Sequence, residues 1–376
     1  MEAIDVLHLR ASNFVGGPER QILRYADHER GGRLRVAVAT FVDRSEGEGK
    51  ALLAAAAAQG TEALPLDGGG WRDLAGLRQL TALLRQRRVR LLCAHAYRAD
   101  LLGSWAARRA GVPIAWFLRG WTGEDRRVRA FEALDRHFLP RADRVVCLSQ
   151  GQRERVLALG IPPARVRVVP NVVEPPPTGR EEARRQMQQR FGLRPEAVWV
   201  GAGGRLSPEK GAADLLAAAA RLARPDVEFI LFGDGPLRAE LEARARQLGR
   251  TAVHFAGFTP DLRTLLPGLD LLVNPSHREE MPNIVLEAMA AGVAVVATAV
   301  GGVAELAGDP AAVRLIGAGQ PETMAAAIAE LVDDGERRNA WAARGRRRVA
   351  AAYAPACQRD ALRALYAEFL PATAGA

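Results

Sequence analysis

The chain has 376 residues, 48% of them hydrophobic and 25% charged, an ordinary globular mix long enough for two domains. No apolar run approaches the roughly 20 residues needed to cross a bilayer, and the opening MEAIDVLHLR has neither the basic start nor the apolar core expected of a signal peptide. The net charge of +9 sits in the first half, with about +10 over residues 1–180 and about −1 over 181–376; this fits a solvated Arg-rich surface or an anionic partner such as a membrane, and no nucleic-acid motif accompanies it.

In chain order, short runs rich in Val, Ile and Leu alternate with helical patterns. The first half contains IDVLHL, RVAVATF, TEALPL, VRLLCA, PIAWFL, DRVVCLS and VRVVP, with helices predicted between them, as over 18–28, 73–86 and 100–109. Apolar runs without polar alternation, separated by helices, predict a parallel sheet buried on both faces. After VVPN, the three prolines of VVEPPPTGREEARRQ stop strand and helix alike and predict a stiff connector. The pattern restarts with AVWVGAGG, VEFILFGDG, AVHFAGF, LDLLVNPS, VAVVATAV and AVRLI, and residues 336–370 read as helical throughout. No short-period repeat is present. The expected α/β architecture is a doubly wound domain over 1–172, a linker over 173–190 and a second doubly wound domain over 191–340. Helices over 341–376 are expected to pack back toward the first domain. Cys93, Cys147 and Cys357 are odd in number and stand in apolar surroundings. They are expected to be core residues of a reducing, cytoplasmic setting rather than disulfides or metal ligands.

Two such domains are expected to face each other across a cleft, and open α/β sheets bind ligands beyond the carboxyl ends of their strands. After the first strand, Gly16 and Gly17 precede a helix that Pro18 can open. This could bring backbone close to an anion, or it could be a turn only. His95 follows another strand and reads equally as a cleft residue or a satisfied core histidine. After AVWVGAGG come Arg205 and Lys210, five residues apart beside a helix start, a candidate diphosphate clamp. Only Lys50 and Lys210 are lysines among 52 basic residues, which suggests that position 210 needs a compact ammonium. Gly233 and Gly235 flank Asp234 in a tight turn, bringing backbone near a ligand or a packing partner. In SHREEMPNIVLEAMAAG, Glu279 lies in a loop and Glu287 in the helix that follows. Ser276 or Asn283 is expected to cap that helix, with Glu287 near its positive end.

These residues carry a resemblance. PSHREEMPNIVLEAMAAGVAVVATAVGGVAE is similar to the E-x7-E region of retaining glycosyltransferase family 4, which has the GT-B fold. GGPERQIL, RADRVVCLS, VRVVPNVV, GAGGRLSPEKG, FILFGDGP and VHFAGF match the same family in order over nearly the whole chain. The resemblance implies two Rossmann-like domains, an acceptor-binding one over 1–172 and a nucleotide-sugar-binding one over 191–340. It implies that Arg205 and Lys210 bind the donor diphosphate, Glu287 the ribose and Glu279 the sugar. Met281, Pro282 and Asn283 belong to the same donor stretch, and Gly16 and Gly17 to a loop closing over the phosphates. Gly301, Gly302 and Glu305 match the loop after the next strand. The implied substrate is a UDP- or GDP-sugar, with no cofactor and no metal. The implied acceptor is a glycan, a lipid-linked glycan or a small molecule, in envelope or exopolysaccharide synthesis at the cytoplasmic membrane face. Fixed cations and amides stabilise the departing diphosphate, and front-face attack needs no separate general base.

Two positions depart from the family pattern. Glu280 stands where a glycine is usual, and in AWFLRGWTGED Arg119 stands where a histidine is usual. An arginine cannot act as a base, so Arg119 is expected to bind acceptor or phosphate, with His95 beside it as the remaining titratable candidate. A nucleotide-sugar epimerase of the same fold would need several acid–base residues. A dinucleotide-dependent dehydrogenase would need G-x-G-x-x-G after the first strand, which SNFVGGPER does not supply. A non-catalytic glycan or lipid binder would account for the charge but not for the donor set.

Overall fold

The computed structural model describes residues 2–12, 14–29, 32–42, 49–68, 74–120, 126–247 and 252–370. They form two compact units, one of residues 1–170 with 356–376 and the other of residues 171–355. Asp73 of the helix predicted over 73–86, and residues 121–125 of AWFLRGWTGED, lie outside the described residues.

The first unit alternates strand and helix: β1 (Val6–Arg10), α1 (Gly17–Asp27), β2 (Val36–Val42), α2 (Lys50–Ala58), β3 (Glu62–Asp67), α3 (Leu74–Gln86), β4 (Leu91–His95), α4 (Tyr97–Ala110), β5 (Ile114–Phe117), α5 (Arg126–Phe138), β6 (Arg144–Cys147), α6 (Gln150–Ala158) and β7 (Val166–Val168). The seven strands are parallel in the order β3-β2-β1-β4-β5-β6-β7. The strand order therefore reverses between β1 and β4. At such a point the helices leave on opposite faces and a crevice opens at the carboxyl edge. The core lies on both faces of the sheet, as unalternated strands require: Leu7, Leu9, Leu92 and Trp116 on one side, Val6, Cys93, Ala115 and Phe117 on the other.

The second unit begins with α7 (Arg180–Phe191) and continues with β8 (Val198–Gly203), α8 (Ala212–Leu222), β9 (Val227–Phe232), α9 (Arg238–Ala245), β10 (Ala252–Gly257), α10 (Leu262–Leu265), β11 (Leu271–Asn274), α11 (Asn283–Ala290), β12 (Ala294–Thr298), α12 (Val303–Ala307), β13 (Arg314–Ile316), α13 (Pro321–Asp333) and α14 (Gly335–Ala352). Its six parallel strands run β10-β9-β8-β11-β12-β13, reversing between β8 and β11.

The stretch expected as a linker over 173–190 is only half connector. Residues 180–190 belong to α7, which has Glu181 and Glu182 in its first turn and a left-handed Gly192 as its C-cap. Arg180 and Arg184 pair with Asp270, whose Oδ2 accepts the Trp199 backbone amide at 2.9 Å. The α7 helix is thus bound to the start of β8 by one half-buried carboxylate. The helical end also divides: α14 lies against α11 and β12, while α15 (Pro355–Ala367) belongs with the first unit. There Leu362, Leu365 and Tyr366 share a core with Val6, Ile22 and Leu91. Each such buried side chain contributes about 1.5–3 kcal/mol. Among the described residues no helix is long and apolar enough to cross a membrane.

Candidate functional site

In the second unit the reversal between β8 and β11 places two loops side by side. The loop after β8 carries Arg205 and then a 3₁₀ turn, Pro208–Lys210, before Gly211 caps α8. The loop after β11 carries Ser276 and Glu279. Lys210 Nζ lies 2.7 Å from Glu279 Oε1, and Ser276 Oγ donates to the same oxygen at 2.9 Å. The Glu279 side chain is 9% exposed and that of Lys210 31%, so the carboxylate is sunk and the ammonium reaches outward. Arg205 and Lys210 line one recess with Gly203, Gly204, Asn274 and Pro275. Two cations on one recess at the carboxyl edge of a parallel sheet suit an anionic oxygen ligand.

The same loops are braced by close backbone packing. Gly233 has a φ of 127°, and a Cβ there would stand 1.9 Å from the Gly204 carbonyl oxygen. The Gly-Asp-Gly turn therefore packs against the Arg205 loop inside the unit. Gly301 has a φ of 54°, and a Cβ on it would stand 1.5 Å from the Glu279 carbonyl oxygen. The next amide, Gly302 N, donates to the Glu280 carbonyl at 3.0 Å. The Gly301–Gly302 pair thus fixes the backbone that carries both acidic residues. Glu305, on α12, accepts at its carbonyl from Arg348 Nη2 at 3.1 Å.

The helix after this loop differs from expectation at its start. Pro282 is the N-cap of α11 and Asn283 is its first residue, so neither Ser276 nor Asn283 caps it. Pro282 has the extended backbone a cap needs (φ −72°, ψ 116°), and Ser276 is engaged with Glu279. Glu287 is the fifth of eight residues and the first turn holds no acid, so the helix dipole contributes little to it. Glu287 is half-buried and does not line the Arg205–Lys210 recess. Met281 is buried, and its carbonyl accepts from Asn171 Nδ2 at 3.2 Å. Asn171 and Thr298, whose hydroxyl donates to the Ser276 carbonyl, carried no signal in the sequence beyond being polar beside buried strands, and Ser276 stood out there only as a candidate cap.

In the first unit the candidates gather at the reversal between β1 and β4. Gly16 caps α1 and Pro18 lies in its first turn. Gly16 N donates to Glu19 Oε2 at 3.0 Å, and Glu19, fully buried, pairs with Arg10 at 2.9 Å. The anion at this helix start is therefore the chain's own. His95 ends β4 and is fully buried. Its Nε2 meets His8 Nδ1 at 2.9 Å and its Nδ1 meets Arg119 Nη2 at 3.1 Å. With both nitrogens engaged and no exposed ring, His95 matches the core reading rather than that of a residue touching a substrate. Burial, reinforced by Arg119, His8 and Arg10, holds its pKa well below the usual histidine value. Burial and then Arg119 bring His8 down to about 3. Both rings are neutral at ordinary pH. Arg119, two residues beyond β5, also lies over the Tyr25 ring at 5.7 Å.

Two family models match the chain: "Glycosyl transferase 4-like domain" over residues 16–172 and "Glycosyl transferases group 1" over residues 184–348. The chain is 33% identical over 254 residues to 2-deoxystreptamine glucosyltransferase of Streptomyces kanamyceticus, covering 63% of this chain and 65% of that one. The match thus spans slightly less than two thirds of that relative's length. It is 30% identical over 309 residues to the lipopolysaccharide core biosynthesis glycosyltransferase LpsE of Rhizobium meliloti, covering 78% of this chain and 87% of that one. Among solved structures, Anabaena HepE in complex with UDP and glucose superposes with a TM-score of 0.84 at 22% identity, over 97% of this chain and all of that one.

Proposed function

The chain belongs to the group 1 glycosyl transferases, with a 4-like domain ahead of the group 1 domain in a GT-B fold, and from that premise we propose that it transfers a hexose-like sugar from a nucleotide diphosphate to an acceptor with retention. The observation that carries this is the Lys210–Glu279–Ser276 cluster at the β8/β11 reversal, with Arg205 on the same recess. Arg205 and Lys210 hold the donor diphosphate, and their charge stabilises the leaving group as it departs. Glu279 meets sugar hydroxyls, and Glu287, on the helix beyond, takes the ribose. Met281, Pro282 and Asn283 present backbone to the donor. Among the described residues no group of three or more His, Cys, Asp or Glu is arranged to hold a metal, and the two cations supply the charge in this reading. The donor is a UDP- or GDP-sugar.

The acceptor is a glycan, a lipid-linked glycan or a small molecule, in keeping with relatives named for 2-deoxystreptamine and for lipopolysaccharide core. Arg119 binds the acceptor or a phosphate. The excess charge of residues 1–180 draws the protein to anionic lipid, and flotation with liposomes containing acidic lipid against neutral ones tests that; equal recovery rejects it. The donor assignment is tested by titrating UDP- and GDP-sugars into the parental chain and into Lys210→Ala. Affinity falls in the variant if Lys210 holds the diphosphate, and unchanged affinity removes the assignment.

A further inference from the structure

The carboxyl ends of β1, β4 and β5 carry a line of buried polar side chains that the donor site does not use. Arg119 Nη2 lies 3.1 Å from His95 Nδ1, His95 Nε2 lies 2.9 Å from His8 Nδ1, and His8 Nε2 lies 3.0 Å from the Tyr366 hydroxyl. His8, His95 and Tyr366 are fully buried. The direction of this line follows from one chemical fact: a guanidinium has donors and no acceptor. His95 Nδ1 must therefore accept, which leaves the proton of the neutral ring on Nε2. That proton goes to His8 Nδ1, so His8 also carries its proton on Nε2 and donates it to Tyr366. One arginine sets both tautomers, and one tyrosine on the last helix receives the end of the chain.

Arg119 itself is left incomplete. Its Nε and Nη1 are buried and have no hydrogen-bond partner among the described residues. Leaving charged donors unmatched in a buried place is costly. Asp100, which feels the positive charge of Arg119, does not take them: its Oδ1 is likewise buried without a partner among the described residues. The histidine contact and the Tyr25 ring below hold the guanidinium in one orientation. An oxyanion is the ligand that matches two unspent guanidinium donors.

We infer that His95, His8 and Tyr366 are positioning residues, a one-directional hydrogen-bond chain that aims Arg119 Nε and Nη1 at a phosphate or carboxylate oxygen of the ligand. The inference rests on the proposed transferase reading in taking Arg119 to meet a substrate. The oxyanion is either the donor diphosphate or an anionic group on the acceptor. In both cases the histidines shuttle no proton; they hold the arginine still.

Two measurements on the full chain test this. Nitrogen-15 spectra of labelled histidine report tautomers directly, and His8 and His95 are both expected as neutral Nε2–H rings, with the Nδ1–H form of His95 emerging in Arg119→Met. Calorimetric titration with inorganic phosphate and with UDP then compares the parental chain with Arg119→Met, His95→Leu, His95→Gln and Tyr366→Phe. Arg119→Met is expected to lose affinity for at least one probe. His95→Leu and Tyr366→Phe weaken the same probe by roughly tenfold, the scale of one charge-assisted hydrogen bond. His95→Gln, which keeps an acceptor and a donor, recovers most of it, and a purely structural role for the histidine would show no such rescue. Loss with UDP identifies the donor diphosphate, and loss with inorganic phosphate alone identifies an acceptor anion. If His95→Leu does not fold, the near-isosteric Tyr366→Phe carries the comparison. An Nδ1–H tautomer of His95 in the parental chain, or unchanged affinity for both probes in Arg119→Met, overturns the inference. Lys210→Ala read against UDP reports separately on the donor assignment, since Lys210 has no part in this chain.

Discussion

At the scale of single residues, His8 and His95 make the sharpest physical statement. Burial and neighbouring positive charge keep both rings neutral in the folded chain, with His8 at about 3 against 6.5 for an ordinary histidine. Between those values the unfolded chain binds protons that the folded chain refuses. Stability therefore falls as pH drops from 6.5, with both rings contributing, and the His8 contribution levels off near pH 3. Denaturant unfolding at several pH values is expected to show a shallower loss for His8→Asn than for the parental chain. Equal slopes would contradict the neutral pair. Some residues were legible in the sequence, because chemistry is visible there as an exception. Lys210 is one of two lysines among 52 basic residues, although its contact with Glu279 was not foreseen. The burial of His95 was not legible, because its partners His8 and Arg119 are 87 and 24 positions away in the chain and no local period marks such contacts.

At the scale of elements, the strands were easy to read and the helix ends were not. A strand buried on both faces announces itself as an unbroken apolar run, and each run quoted from the sequence overlaps a strand. Helix ends depend on which side chain satisfies the terminal backbone groups. Ser276 is a good capping residue by type, but Glu279 takes its hydroxyl, and Pro282 stands at the cap of α11. The proline run did mark a break, but α7 begins earlier than expected because Asp270 holds Arg180 and Arg184. The α12 entry loop yields a direct prediction. A Cβ at Gly301 would stand 1.5 Å from the Glu279 carbonyl at a φ of 54°, so Gly301→Ala must push the Glu279 loop away. The expected result is a roughly tenfold or greater loss of transfer with a modest loss of stability, about 1–3 kcal/mol, from strain outside the core. Parental activity in Gly301→Ala, with the melting curve unchanged, would show that the loop tolerates the displacement.

At the scale of the whole molecule, each unit places its chemistry where its strand order reverses. Arg205, Lys210, Ser276 and Glu279 stand at the β8/β11 reversal, and Arg10, His95 and Arg119 stand at the carboxyl ends of β1, β4 and β5. The alternation of apolar runs and helices was sufficient to predict two doubly wound sheets, and the order of short motifs was sufficient to predict the family. The helix-dipole account of Glu287 fails on geometry, since the residue lies in the middle of α11. Its assignment to the ribose therefore rests on the family motif and on chemistry. The central claim is that the second unit grips a sugar nucleotide through Lys210 and Glu287. It is tested most directly by the rate of nucleoside diphosphate release in the presence of acceptor. The donor for this measurement is the one that gives the largest thermal shift among UDP-, GDP- and ADP-sugars. Lys210→Ala and Glu287→Ala should each lower that rate by about 10²–10³ while melting close to the parental temperature; parental rates in both variants would contradict the account.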